Sequence, residues 1–153
     1  MITPTLTLCF SAEVKVAAPH DLGTIDGATR RMIPILGGRV SGTRLDGEVL
    51  PGGGDWQTVH ADGTIDLCAR YLIRAADGTI LSVTNNGYRH GPPDVLARLA
   101  IGEAVDPALY YFRTAPRFDV AADSAHAWLG RTVMLCSAER RSSEVLLDFF
   151  AVE

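Results

Sequence analysis

The stretch Pro51-Gly-Gly-Gly-Asp-Trp-Gln57, with the Asp-Gly pairs Asp62-Gly63 and Asp77-Gly78 behind it, decides the fold. A glycine run ends, a strand begins with an acid and a tryptophan, and two turn signals follow at nearly equal spacing. Asp-Gly between alternating apolar residues signals a hairpin, because a type I′ turn needs positive φ at both central residues. Two further pairs, Asp26-Gly27 and Asp46-Gly47, also separate strand-like segments.

Two-residue turns at Asp62-Gly63 and Asp77-Gly78 predict a register. Gln57 then faces Cys68 and Asp55 faces Arg70, while across the second turn Arg70 faces Asn85 and Asp66 faces Arg89. Directly opposed side chains share a sheet face. One face carries Asp55, Gln57, Asp66, Cys68, Arg70, Arg74, Asn85 and Arg89, and the other carries Trp56, Ile65, Leu67, Tyr71, Ile73 and Tyr88. A slip of one residue in either turn undoes this assignment.

Period-2 alternation dominates elsewhere. Leu6, Leu8, Phe10, Ala12, Val14 and Val16 form one face of a half-buried strand. Shorter strand-like pieces are Thr29 to Met32, Arg39 to Leu45 and Glu48 to Leu50. Two long ones, Ile65 to Ala75 and Thr79 to Tyr88, are followed by Leu109 to Thr114, Thr132 to Ala138 and Glu144 to Val152. Pro93 to Ala100 reads as a helix, with prolines at its start, Asp94 in its first turn and Gly102 beyond its end. A short helical turn near Ser124 to Leu129 is compatible with the pattern. About eight antiparallel strands in one domain, residues 1–153, predict an all-β fold: a small closed antiparallel β-barrel with one short helix, since closure removes exposed edges.

Composition fits a globular domain, with 47% hydrophobic and 21% charged residues. A net charge of -4 gives no general attraction to nucleic acid or anionic membrane, so neither is expected as a partner. Lys15 is the only lysine, so the positive charge is almost all arginine. Cys9, Cys68 and Cys136 lie far apart without Cys/His ligand spacing, which argues against a metal site and for free thiols in a reducing, cytoplasmic setting. The amino-terminal segment reads as a strand and no apolar run reaches membrane-spanning length. GxSxG, Walker A and Rossmann glycine patterns are absent, so no cofactor of those kinds is expected.

The acid–arginine face has two readings. It is either a solvated outer wall with cross-strand ion pairs of under about 1 kcal/mol each, or a polar lumen. In the lumen Asp55 or Asp66 would move a proton and Arg70, Arg89 or Arg113 would steady the developing anion, with Asn85 as a further ligand contact. Exposure of Asp66 and Arg70 on the outer wall would overturn both pocket readings, the enzyme and the carrier. Tyr111 and Arg113, within the aromatic run Tyr110 to Phe118, could stack a flat ligand or form a core strand.

Several blocks carry a family likeness: Gly37-Gly-Arg-Val-Ser-Gly42, Leu50-Pro-Gly-Gly-Gly-Asp-Trp-Gln57, Asp66-Leu-Cys-Ala-Arg-Tyr71, Tyr111-Phe-Arg-Thr-Ala-Pro-Arg-Phe118 and Trp128-Leu-Gly-Arg131. In this order they resemble the domain-of-unknown-function 3237 family, also called uncharacterised protein family 0311, over nearly the whole chain. The resemblance implies a small antiparallel β-barrel and a mostly bacterial, soluble protein, and no established general activity. Trp56 and Trp128 are further candidate ligand contacts. The sequence thus leads to a barrel binding a small organic molecule, either as a cofactor-independent isomerase, cyclase or lyase acting on a carbonyl-containing or aromatic metabolite, or as a carrier or assembly subunit without turnover. A homo-oligomer is compatible with either.

Overall fold

Strand β1 (Leu6–Val16) closes the sheet, because it pairs antiparallel with the last strand on one side and with β3 on the other. The structure, a computed structural model, describes residues 1–153. Beyond β1 come β2 (His20–Ile25), β3 (Ala28–Ser41), β4 (Gly47–Val49), β5 (Gly53–Val59), β6 (Ile65–Ala75) and β7 (Ile80–His90). Helix α1 (Pro93–Ala100) follows, then β8 (Tyr111–Asp119), β9 (Met134–Arg140) and β10 (Glu144–Val152). Short 3-10 turns occupy Pro107–Leu109 and Ala127–Arg131.

The wall is a closed eight-stranded antiparallel barrel. Strands β4 and β5 share one position, both pairing with β3 and β6, and β2 is an additional strand paired only with β3. The predicted all-β barrel with one short helix is therefore the observed fold, and α1 has the predicted bounds. Two elements go beyond the sequence reading. Strand β3 runs unbroken through Pro34, and His20–Ile25 forms a solvent-exposed strand. Proline is tolerated because the first strand's ladder has already shifted at Lys15/Val16, and Pro34 offers its carbonyl to Ala17 N at 3.0 Å.

The hairpin loops depart from the expected two-residue turns. Only Asp26-Gly27 is a two-residue loop with positive φ at both positions, 52° and 80°, joining the paired residues Ile25 and Ala28. The other two loops each read Ala-Asp-Gly-Thr and hold three residues. His60 N donates to Thr64 O at 2.9 Å, and Ala75 N donates to Thr79 O at 2.8 Å. Each aspartate accepts from the threonine amide two residues on, Thr64 N at 2.8 Å and Thr79 N at 2.9 Å. Each glycine takes positive φ, 84° at Gly63 and 89° at Gly78, as a three-residue loop of this kind requires.

The register is consequently shifted by one at both turns. Asp55 faces Ala69, Gln57 faces Leu67, Ala69 faces Asn85 and Ile65 faces Arg89. The two shifts cancel between β5 and β7 but turn β6 over. Asp55, Gln57, Asn85 and Arg89 stay on one face, joined now by Ile65, Leu67, Tyr71 and Ile73 instead of Asp66, Cys68, Arg70 and Arg74. Four large apolar side chains gain about 1.5–3 kcal/mol each on burial, so β6 has one favourable orientation.

Inward side chains fill the barrel unevenly. One end is packed apolar, with Phe10 stacked on Phe149 at 4.5 Å and Phe118 edge-on to both. The other end carries Asp55, Gln57 and Arg89. A bulge at Cys9 rotates the start of β1, so Leu6 and Leu8 are exposed, contrary to the simple alternation, while Phe10 through Val16 keep it. Closure demands close backbone approach at Gly38, where a Cβ would lie 2.0 Å from Glu13 O. Gly38→Ala is expected to cost about 3 kcal/mol, as overpacking against backbone does. Gly78→Ala, where nothing lies within 4 Å, should cost about 1–2 kcal/mol from its left-handed φ alone. Urea unfolding of both variants measures the difference, and equal losses would contradict the closure argument.

Candidate functional site

At the polar end the inward alternation of five strands brings side chains of several types together. Asp55 and Gln57 come from β5, Tyr71 from β6, Asn85 and Arg89 from β7, Thr114 from β8 and Arg140 from β9. Apolar neighbours Leu67, Phe112 and Leu147 complete the cavity lining. Its free volume is about 50 Å³. Next to it lies a wider groove of about 540 Å³ beneath α1, lined by Val59, Ile65, Leu96 and Ala100 together with Arg31, and Arg89 borders both spaces.

A hydrogen-bond chain leads inward. Arg31 Nε donates to Gln57 Oε1 at 2.8 Å, and Gln57 Nε2 donates to Asp55 Oδ2 at 2.7 Å. This holds one carboxyl oxygen of Asp55 and leaves the other free. Asp55 Oδ1, Tyr71 Oη, Asn85 Oδ1, Arg89 Nε and Thr114 Oγ1 are buried without a hydrogen bond of full geometry, although the Tyr71 phenol lies close enough to Asn85, and Thr114 to the Cys136 thiol, for the neighbour to act on the titrating group. All five residues line this one cavity. Each unpaired buried group costs about 1–3 kcal/mol, so even part of this set is a large share of the stability of an ordinary domain, about 5–15 kcal/mol. Groups so placed are met by something other than protein, whether solvent or ligand.

Burial also shifts their protonation. The Asp55 carboxyl is pushed above the ordinary carboxylate range by desolvation, which outweighs the hydrogen bond from Gln57 and the positive charges of Arg89, Arg31 and Arg140. Desolvation lowers Arg89 to about 10, helped by repulsion from Arg31 and Arg140. The Tyr71 phenol is raised by burial and stays protonated, and the Cys136 thiol is pushed up to about 12, which makes it a poor nucleophile. A carboxylic acid whose pKa rises toward neutrality can both take and give a proton. No group of three or more His, Cys, Asp or Glu side chains is arranged to hold a metal.

The sequence-predicted residues divide. Asp55, Asn85 and Arg89 meet in the cavity. Asp66 and Arg70 stand exposed on the outer wall, opposite Thr58 and Thr84, because of the turned-over β6. This exposure overturns both pocket readings as they were built on Asp66 and Arg70, and the cavity that exists has a different lining. Trp56 is also exposed on the outer wall, across from Met32 and Cys68. Tyr111 is exposed and stacks on His90 at 4.7 Å, and Arg113 points outward and donates to Phe112 O at 2.8 Å. Trp128 is half-buried against the core, with the Arg44 guanidinium 3.7 Å from its ring centre. Neither Tyr111, Arg113 nor Trp128 lines the cavity. Sequence reasoning missed Tyr71, Thr114, Arg31 and Arg140 as lining groups. The alternation of Phe112, Thr114 and Phe118 marks Thr114 as inward, while no local pattern identifies Arg31, within β3, or Arg140, at the end of β9.

Fold and site together define a closed antiparallel β-barrel with a polar cavity at one end. The chain belongs to the family described as a protein of unknown function (DUF3237), whose model matches residues 4–152. It is 41% identical to a UPF0311 protein of Clostridium acetobutylicum over 144 residues, 94% of this chain and 90% of that one. The crystal structure of a conserved protein of unknown function from Rhodopseudomonas palustris superposes with a TM-score of 0.94 at 36% identity, each chain covered in full. A β-barrel-like protein from Acinetobacter baumannii superposes with a TM-score of 0.86 at 35% identity, covering 100% of this chain and 98% of that one. Over 83 residues, 54% of this chain and 55% of that protein, the sequence is 34% identical to the hydroalkoxylation enzyme phnH of Penicillium herquei. No helix is long and apolar enough to cross a membrane.

The raised carboxyl of Asp55 has a stability consequence with a definite sign. Between the unfolded value near 3.8 and the higher folded value, the folded chain keeps a proton that the unfolded chain has lost. Wild-type stability therefore falls through this window as pH rises. Asp55→Asn lacks the transition, so the stability difference, variant minus wild type, should grow from pH 3 upward and level off once the folded carboxyl ionises. Denaturation midpoints across pH 3–8 give this difference, and one that is flat or shrinks with pH contradicts the assignment.

Proposed function

We propose that the cavity is a ligand site and that the protein is a cofactor-independent enzyme, an isomerase, cyclase or lyase, acting on a small carbonyl-containing or aromatic metabolite. The observation that carries this reading is the convergence of all five of these buried polar atoms on one cavity. A protein selected only to fold would pair or replace such groups. Asp55 transfers the proton through its free Oδ1, while Gln57 and Arg31 hold the other oxygen in place. Arg89 steadies the oxygen on which negative charge develops, and Tyr71 and Asn85 orient the bound carbonyl.

Size restricts the substrate. A cavity that holds a benzene-sized guest measures about 150 Å³, and this one has about 50 Å³. A reacting functional group enters the barrel, and the ring or chain that carries it remains in the groove beneath α1. The likeness to a hydroalkoxylation enzyme supports chemistry of this kind, since adding an alcohol O–H across a carbon–carbon multiple bond moves a proton and transfers no net electrons. The three free cysteines fit a reducing, cytoplasmic location.

The test is a thermal-shift screen of small ketones, enones and hydroxyaryl carbonyls, followed by product analysis of every compound that stabilises the protein. The reading predicts binding and conversion, with Asp55→Asn reducing kcat by about 10²–10⁴-fold while ligand-induced stabilisation persists. Binding without conversion by the wild type would make the protein a carrier. Absence of any stabilising compound, or conversion untouched by Asp55→Asn, would overturn the assignment.

A further inference from the structure

Three guanidiniums stand about the cavity, Arg89 and Arg140 in its lining and Arg31 in the adjoining groove, and none makes an ion pair, although the Asp55 carboxyl attracts all three. Arg31 projects from β3, Arg89 from β7 and Arg140 from β9; burial lowers the pKa of each, Arg31 lowers the other two further, and Asp55 opposes the shift in all three. Six ion pairs exist in the protein, and none involves these residues. Arg31 is held by the neutral Gln57, and Arg140 donates to the carbonyls of Glu144 and Ser142 at 3.2 and 3.4 Å. Arg89 is 9% exposed, its Nε lacks a partner, and its nearest compensation is the Phe112 ring 5.7 Å away. Elsewhere in the chain Arg74 meets Glu48 at 2.7 Å and Arg98 meets Glu103 at 2.9 Å, while Arg30, Arg39, Arg70, Arg113, Arg117 and Arg131 also lack an ion pair but are exposed to solvent. The three at the cavity are set apart by being withdrawn from solvent, where the protein also leaves polar atoms unsatisfied.

Taking three like charges out of water beside one cavity carboxyl, Asp55, that burial itself pushes toward its neutral form is unfavourable, and a bound anion lowers the penalty. Arginine forks match a planar two-oxygen group. The groove beside Arg31 and Arg89 supplies apolar surface from Val59, Ile65, Leu96 and Ala100. We infer that the ligand is an organic carboxylate, its charged group set among Arg31, Arg89 and Arg140 and its apolar body lying in the groove beneath α1. This rests on the cavity being the ligand site. It adds the charge of the ligand and its direction: carboxylate at the rim, the atom that exchanges a proton pointing inward to Asp55, hydrocarbon outward under the helix.

Acetate, butyrate and benzoate, each paired with its own amide, test the inference on the full chain by thermal shift and calorimetry. At least one acid should raise Tm by about 2 °C or more at millimolar concentration, a shift of the size expected for a bound ligand in a domain this long, while its amide does not. Arg89→Met should weaken that acid by about tenfold or more. Without ligand the same substitution should raise Tm by a few degrees, because it removes an unpaired buried charge. Should the variant fail to fold, the acid-against-amide comparison on the wild type decides alone. Amides as effective as acids, acids unaffected by Arg89→Met, or inorganic phosphate outcompeting every carboxylate would each overturn the inference. If no acid acts while neutral carbonyl compounds stabilise the wild type, the anion assignment fails and the ligand site stands. If neither class acts, both fail.

Discussion

Everything in this barrel depends on the two Ala-Asp-Gly-Thr loops. Each inserts one residue more than a type I′ turn would, and each is locked by an aspartate that accepts from the threonine amide two positions on. Because side chains alternate with a period of two, one residue is the whole difference between inside and outside. The loops point the odd-numbered residues of β5, β6 and β7 into the barrel together. Apolar Ile65, Leu67 and Ile73 enter with polar Asp55, Gln57, Asn85 and Arg89, and the position of the cavity follows from that one shared face.

The consequence is a barrel with two unlike ends. At one, Phe10, Phe118 and Phe149 pack as a hydrocarbon core should. At the other, backbone pairing continues but the side chains do not satisfy one another. The core end and the ladder hydrogen bonds hold the polar end in its unfavourable arrangement, as rigid scaffolds do for sites whose groups are poised for something outside the protein. Desolvation connects structure to chemistry here. The same burial that leaves Asp55 Oδ1 unpaired raises its pKa, and the same burial that isolates Arg89 lowers its own.

Much of this was legible in the sequence, and the exceptions have physical causes. Period-2 alternation and turn residues identified an all-β closed barrel, and Pro93, Asp94 and Gly102 marked α1. The faces of β5 and β7 were also grouped correctly, because two register errors of equal size cancel between them. The alternation of Ile65, Leu67, Tyr71 and Ile73 groups the faces of β6 correctly, but a two-residue turn at each Asp-Gly joins them to the wrong faces of β5 and β7. The bulge at Cys9, which exposes Leu6 and Leu8, has no local sequence signature beyond the cysteine itself. Arg31 and Arg140 reach the rim only because β3 and β9, distant in sequence, bring them to the same end of a closed barrel. Such proximity is a property of topology and cannot be read from neighbours in the chain.

The central claim is that the five buried polar atoms face a ligand cavity. A high-resolution crystal structure of the protein purified without added ligand tests it most directly. The account predicts ordered density in the cavity, from water or a co-purified molecule, within hydrogen-bond distance of Asp55 Oδ1, Asn85 Oδ1 and Arg89 Nε. A collapsed cavity in which these atoms bond to one another, with Arg89 paired to Asp55, would contradict it.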